Sequence, residues 1–140
     1  MRLELVDEPA LSLSDYTDLL GTIILSRRAV EALGEFLHAS GEILSVEIGR
    51  NASQRSAQDY SIFHVTRVSD ALDVDQSSFD YFPDGTVRAI TKYQFVPERL
   101  EPESFFRLGI KPRLRLYATE KVVRRARAAG LTGCEFLALT

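Results

Sequence analysis

The chain is poor in the residues that most often carry chemistry. Among 140 residues there is one cysteine, Cys134, and there are two histidines, His38 and His64. A single cysteine excludes an internal disulfide, and its place in an apolar run makes it a buried small hydrophobe rather than a nucleophile. No basic neighbour in the sequence lowers its pKa. His38 falls at the end of an expected helix, where the helix dipole favours a cation, and His64 lies mid-strand beside Thr66, so both take ordinary structural roles. No serine sits in a nucleophile-elbow pattern. Gly130 and Gly133 follow a helix instead of preceding one, so there is no phosphate-binding glycine loop. No catalytic residue, cofactor or bound metal is expected. No segment approaches the roughly 18 apolar residues that span a bilayer. The start, Met1-Arg2-Leu3-Glu4, runs on to Asp7 and Glu8 and lacks the basic opening of a secretory signal. A cytoplasmic protein without membrane contact is expected, which suits an unpaired thiol.

What is present is ordinary globular material. A content of 45% hydrophobic and 26% charged residues predicts one domain over residues 1–140, long enough to bury about two-thirds of its unfolded surface. No composition break marks a linker. The formal net charge of −3 names no partner, but its distribution is uneven. Between Arg67 and Arg88 lie Asp70, Asp73, Asp75, Asp80 and Asp84 with no basic residue, whereas Arg107 to Arg127 is basic apart from Glu120.

The clearest pattern is in the last third. Leu114, Leu116 and Ala118 alternate with Arg113, Arg115 and Tyr117, a strand with one buried and one wet face. Thr119 caps a helix in which Val122, Val123, Ala126 and Ala129 share one face and Arg124, Arg125 and Arg127 spread over the other. Gly130 is placed to close it in a left-handed conformation, with Leu131 folding back in a Schellman contact. Cys134 to Leu139, apolar on both faces, predicts a terminal strand inside a sheet.

Earlier in the chain, Arg2 to Val6 suits an edge strand, and Leu11 to Gly21 a loop or short irregular helix. Ile23 to Leu25 is a short apolar strand ending at Ser26, a good N-cap. The helix that follows aligns Ala29, Val30, Leu33, Phe36 and Leu37 and stops at Ser40-Gly41. Strands are expected over Glu42 to Ile48 and Tyr60 to Val68, separated by a polar loop from Arg50 to Asp59. Pro83-Asp84-Gly85 is a turn signature, and the strand leading away from it places Val87, Ala89, Tyr93 and Phe95 on one face and Arg88, Lys92 and Gln94 on the other. Pro97 and Pro102 bracket a connector into Phe105, Phe106 and Leu108. The fold class is α+β, a mainly antiparallel twisted sheet with two amphipathic helices packed on it.

Two clusters need weighing. Asp70, Asp73, Asp75 and Asp80 could serve a metal-dependent enzyme. An EF-hand loop counted from Asp73 has Ser78 where the glycine belongs and Asp84 where the glutamate belongs, so a solvated, turn-rich loop is the simpler reading. Arg113, Arg115, Arg124, Arg125 and Arg127 could meet phosphate in a small nucleic-acid-binding module. The strand and helix need not share a face, the chain is acidic overall, and charge runs usually form wet surfaces, so nucleic acid is not the expected partner.

The chain resembles a family of bacterial polymorphic-toxin immunity proteins. The resemblance is carried by Ile24-Leu25-Ser26 with its helix, Tyr60-Ser61-Ile62-Phe63-His64-Val65, Ala71-Leu72-Asp73-Val74-Asp75-Gln76-Ser77, and Phe105-Phe106-Arg107-Leu108. It continues through Tyr117-Ala118-Thr119 and the closing Gly130-Leu131-Thr132-Gly133-Cys134-Glu135-Phe136. It implies a non-catalytic inhibitor that binds a cognate toxin of the same cell line. On that expectation Asp70, Asp73, Asp75 and Asp80, with Tyr81 and Phe82, form part of the binding surface, because an acidic loop bearing two aromatics offers both steering charge and anchors to bury. Monomer and homodimer are both compatible with the sequence.

Overall fold

The computed structural model describes residues 2–4, 14–19, 22–49, 60–110 and 115–139. The elements run β1 (Arg2–Glu4), β2 (Tyr16–Leu19), β3 (Thr22–Ser26), α1 (Arg27–Ser40), β4 (Gly41–Gly49), β5 (Tyr60–Val65) and β6 (Val68–Ser69). They continue with β7 (Ser78–Tyr81), β8 (Val87–Lys92), α2 (Pro97–Leu100), β9 (Phe105–Leu108), β10 (Tyr117–Ala118) and α3 (Glu120–Ala128). This is an α+β fold with two long amphipathic helices, as expected, and one additional helical turn between the prolines.

A five-stranded sheet in the order β1-β4-β5-β3-β2 is antiparallel except for the β1–β4 pair. Ser26 ends β3 and caps α1, its Oγ accepting from the Ala29 amide at 3.1 Å. The stripe of α1 then buries Ala29, Leu33 and Leu37 with Ile23, Leu25, Phe63 and Val65 of the sheet, and α3 adds Val122 and Ala126. Each such leucine, fully removed from water, contributes roughly 1.5–3 kcal/mol. Gly41 lets the chain turn straight from α1 into β4, because a Cβ there would run into the His64 carbonyl on β5. At the other end of the core, α3 closes as predicted. Gly130 has φ +66°, its amide donates to Arg127 O at 3.0 Å, and the Leu131 amide donates to Ala126 O at 3.1 Å, the two bonds of a Schellman motif.

A second core is smaller and aromatic. Leu72, Phe106, Leu108 and Tyr117 are buried in it, with Phe79, Ile90, Tyr93 and Phe95 packed around them. Strand β9 is the wall between the two. Phe105 points into the first core, its ring 5.2 Å from Phe63, and Phe106 points into the second, 5.5 Å from Tyr117. Alternation on one strand thus supplies both sides.

Several expectations are corrected. Residues 16–19, taken for loop or irregular helix, form edge strand β2, because Tyr16 packs on the first core while the backbone pairs with β3. The strand expected from Tyr60 to Val68 breaks after Val65. The Thr66 and Arg67 amides both donate to Ser40 O at 3.0 Å, and β6 then leaves to pair with β9. Among the described residues of the strand into Ala118, Tyr117–Ala118 are the paired ones, and Tyr117 is buried rather than wet because the second core covers that face. The terminal segment Cys134–Leu139 joins no sheet among the described residues. It is apolar on both sides because Cys134 and Phe136 pack on the first core and Leu139 on the second, while Leu137 is 78% exposed. The expected loop from Arg50 to Asp59, and Arg113 and Leu114, lie outside the described residues.

Candidate partner-binding surface

The acidic stretch folds into two successive turns joined by a hairpin. In the first, Asp73 Oδ1 accepts from the amides of Asp75 and Gln76 at 3.1 and 3.2 Å, and the Ser77 amide donates to Asp73 O at 3.0 Å. An aspartate that bonds its own backbone in this way fixes a turn. The turn is tied to the far strand end, since the Asp73 amide donates to Gln94 O at 2.8 Å and the Gln94 amide donates to Ser77 Oγ at 3.1 Å. Strands β7 and β8 follow as an antiparallel pair joined by the expected Pro83-Asp84-Gly85 turn. Gly85 has φ +89°, and Asp84 Oδ1 accepts from both the amide and the hydroxyl of Thr86. The register slips twice along the pair, and this breaks the strict alternation expected of Val87 to Phe95. Ile90 therefore faces Phe79 and joins the second core.

The hairpin base is fixed by aromatic packing. Tyr93 stacks on Phe95 at 5.9 Å, Phe95 meets Phe106 edge-on at 6.4 Å, and Tyr93 shares a 2.9 Å hydrogen bond with the Tyr117 hydroxyl. Burial, followed by that bond, holds the Tyr117 hydroxyl well above the usual tyrosine range. Beyond this base the surface opens to water. Tyr81 is 59% exposed, Val74 54% and Phe82 43%. Asp70 and Asp75 are exposed as well, while Asp73 and Asp80 are half-buried.

These charges are not equivalent. Arg88, the first cation after the acidic run, comes across the hairpin to bond Asp80 at 2.9 Å. The linear sequence shows this pair only once the turn at Pro83 is folded. A family model for an immunity protein family, Imm11, matches residues 3–140. The chain belongs to the Imm11 family. No curated protein matches it. Membership in an immunity protein family supports an immunity function and suggests a role without catalysis.

Against that background two charged groups of this Imm11 protein, around Glu103 and around Asp15, tie the fold together. Arg67 donates from Nε and from a terminal nitrogen to the two carboxylate oxygens of Glu103 at 2.8 and 2.7 Å, and Glu103 is only 3% exposed. The guanidinium, helped by Ser69, holds the Glu103 carboxyl below the usual range, and the same pairing raises Arg67. Asp15 accepts from Arg28 at 3.0 Å, from Ser26 at 2.7 Å and from the Thr132 amide at 2.9 Å. Arg28 first, outweighing desolvation, keeps its carboxyl far below the ordinary value. Arg28 also donates to the carbonyls of Ala129 and Gly130 at the end of α3. Burial, and then the charge of Asp15, pushes the Cys134 thiol up, away from reactivity.

The basic set is dispersed. Arg125 bonds Glu35 at 2.7 Å and lies 4.8 Å from the Phe36 ring centroid, whereas Arg124, Arg127 and Arg115 are exposed and Arg113 lies outside the described residues. The ion pair made by this set is Arg125 to Glu35 of α1 among the described residues, and none of the set is paired with the acidic stretch there. Thr119 takes the N-cap position of α3 in extended geometry, but its hydroxyl donates to Glu103 O at 2.8 Å rather than capping the helix. His64 and His38 are both exposed. Among the described residues no group of three or more His, Cys, Asp or Glu is placed to hold a metal, and no helix is long and apolar enough to cross a membrane.

Proposed function

We propose that this immunity protein binds a cognate toxin or effector domain in the cytoplasm, as one domain over residues 1–140, and neutralises it by covering the toxin's active site. The observation that carries this reading is the match to an immunity protein family along almost the whole chain, residues 3–140. The contact surface on this reading includes Asp70, Asp73, Asp75, Asp80, Tyr81 and Phe82. Its support is physical. A turn and hairpin already locked by their own hydrogen bonds lose little entropy on docking, and exposed aromatics next to carboxylates combine anchors with steering charge.

The test is to express each candidate toxin from neighbouring open reading frames with and without this protein. One of them should kill cells alone, be tolerated with the protein present and co-purify with it. Cells that die equally in both cases for every candidate would sink the proposal, as would turnover of a toxin substrate by the purified protein alone.

A further inference from the structure

The acidic surface does not present its charges uniformly, and the hydrogen bonds separate those that shape it from those it offers outward. Asp73 spends its carboxylate on the amides of Asp75 and Gln76, and Asp80 spends its own on Arg88. Asp70 and Asp75 are exposed, and among the described residues neither carboxylate accepts a hydrogen bond. Tyr81 carries its ring past the edge of the second core. Its ring neighbour is Phe79 at 6.3 Å, and 59% of the residue is open to water. A half-exposed tyrosine on a rigid ribbon, bordered by carboxylates, is the composition of an anchor.

We infer that this face docks on a cationic protein surface, with Tyr81 entering an apolar recess, Asp70 and Asp75 steering the approach, and Asp73 and Asp80 holding the loop in shape. The kind of partner follows from charge complementarity. Five aspartates lie between residues 70 and 84 with no basic residue among them. Arg88 pairs with Asp80, and Arg67 and Arg99 lie beside Asp70, so the stretch stays acidic on balance, a neutral partner gains nothing from it and an acidic one is repelled. The division of labour follows from bonding. Removing a carboxylate already committed to a turn changes the fold, whereas removing one that faces water changes only the encounter.

This rests on the proposed toxin-binding function, and the experiment separates the two. The probe is the toxin domain identified by rescue, purified with its active site disabled, and the readout is association and dissociation rates from about 50 to 500 mM salt together with melting of each variant. The double variant Asp70→Asn, Asp75→Asn should associate roughly three- to tenfold more slowly at low salt with a flatter salt dependence, at unchanged dissociation rate and Tm. Tyr81→Ala should dissociate at least roughly tenfold faster with unchanged Tm. Asp73→Asn should lower Tm. If wild type binds and the Asn pair matches it at every salt concentration, or Tyr81→Ala dissociates like wild type, this inference fails and the functional reading stands. If wild type binds none of the candidate toxins, both fail.

Discussion

Replacing Glu103 by Gln should weaken the protein by about 1–3 kcal/mol at neutral pH. A fully buried ion pair broken on one side costs roughly 3–5 kcal/mol and an exposed one roughly 0–1. This pair lies between those limits, because the Glu103 side chain is 4% exposed and that of Arg67 50%. Losing the carboxylate leaves Arg67 free to turn into water. The amide left behind keeps one acceptor for the guanidinium but sets its own N–H groups against it and against the buried surroundings. For a chain of this size the loss corresponds to about 3–9 °C in Tm. The pH dependence has a definite sign. The carboxyl is held below its usual value in the folded state, so its contribution is complete above the unfolded pKa, near 4.3, and disappears as pH falls through the folded value. Urea unfolding of wild type and Glu103→Gln at pH 7 and across the acid range measures the gap, and a cycle with Arg67→Met isolates the pairwise coupling. A gap under about 0.5 kcal/mol at pH 7, or one that persists undiminished into acid, would refute the assignment.

Phe105→Ala and Phe106→Ala should each cost about 3–5 kcal/mol in urea unfolding, the first loosening the sheet and α1 and the second the hairpin base, which amide exchange resolves. Gly41→Ala should fail to fold or melt far lower because of the His64 carbonyl, whereas Gly34→Ala, with open space at the added methyl, should stabilise by about 0.5–1 kcal/mol. Asp15→Asn should destabilise above the unfolded carboxylate pKa and become indistinguishable from wild type in strong acid, checked by melting against pH. In an ultraviolet titration Tyr16, raised by burial and then by Asp18, should ionise only at about pH 12.

What the sequence revealed was local, and what it concealed depended on partners distant along the chain. The Ser26 cap, the stripes of α1 and α3, the Gly130 stop and the Pro83-Asp84-Gly85 turn each depend on a few adjacent residues, and each forms as read. Tyr16–Leu19 gave no strand pattern because only Tyr16 enters the core and the rest is paired through its backbone. Tyr117 was assigned to water because period two assumes a single buried face, and a second core reverses that. Cys134–Leu139 has the composition of an interior strand but earns it by crossing two cores. At the candidate surface, the exposed acids and aromatics were legible from composition, while the Asp80–Arg88 pair and the Asp73 turn needed the folded hairpin. Arg67 and Glu103 stand 36 positions apart, and nothing in either neighbourhood announces the other.

Because neighbouring phenylalanines on β9 serve opposite interiors, the length of that tetrapeptide is more constrained than its composition. A conservative exchange at Phe105 or Phe106 perturbs one interior. A one-residue insertion or deletion between Ser104 and Leu108 would send each ring to the other's place and disorganise the whole molecule. The turn at Pro83–Gly85, which contributes no residue to either core, should accept changes of length that β9 cannot. Drift within this lineage can therefore lengthen or reshape the hairpin tip while the scaffold keeps its count.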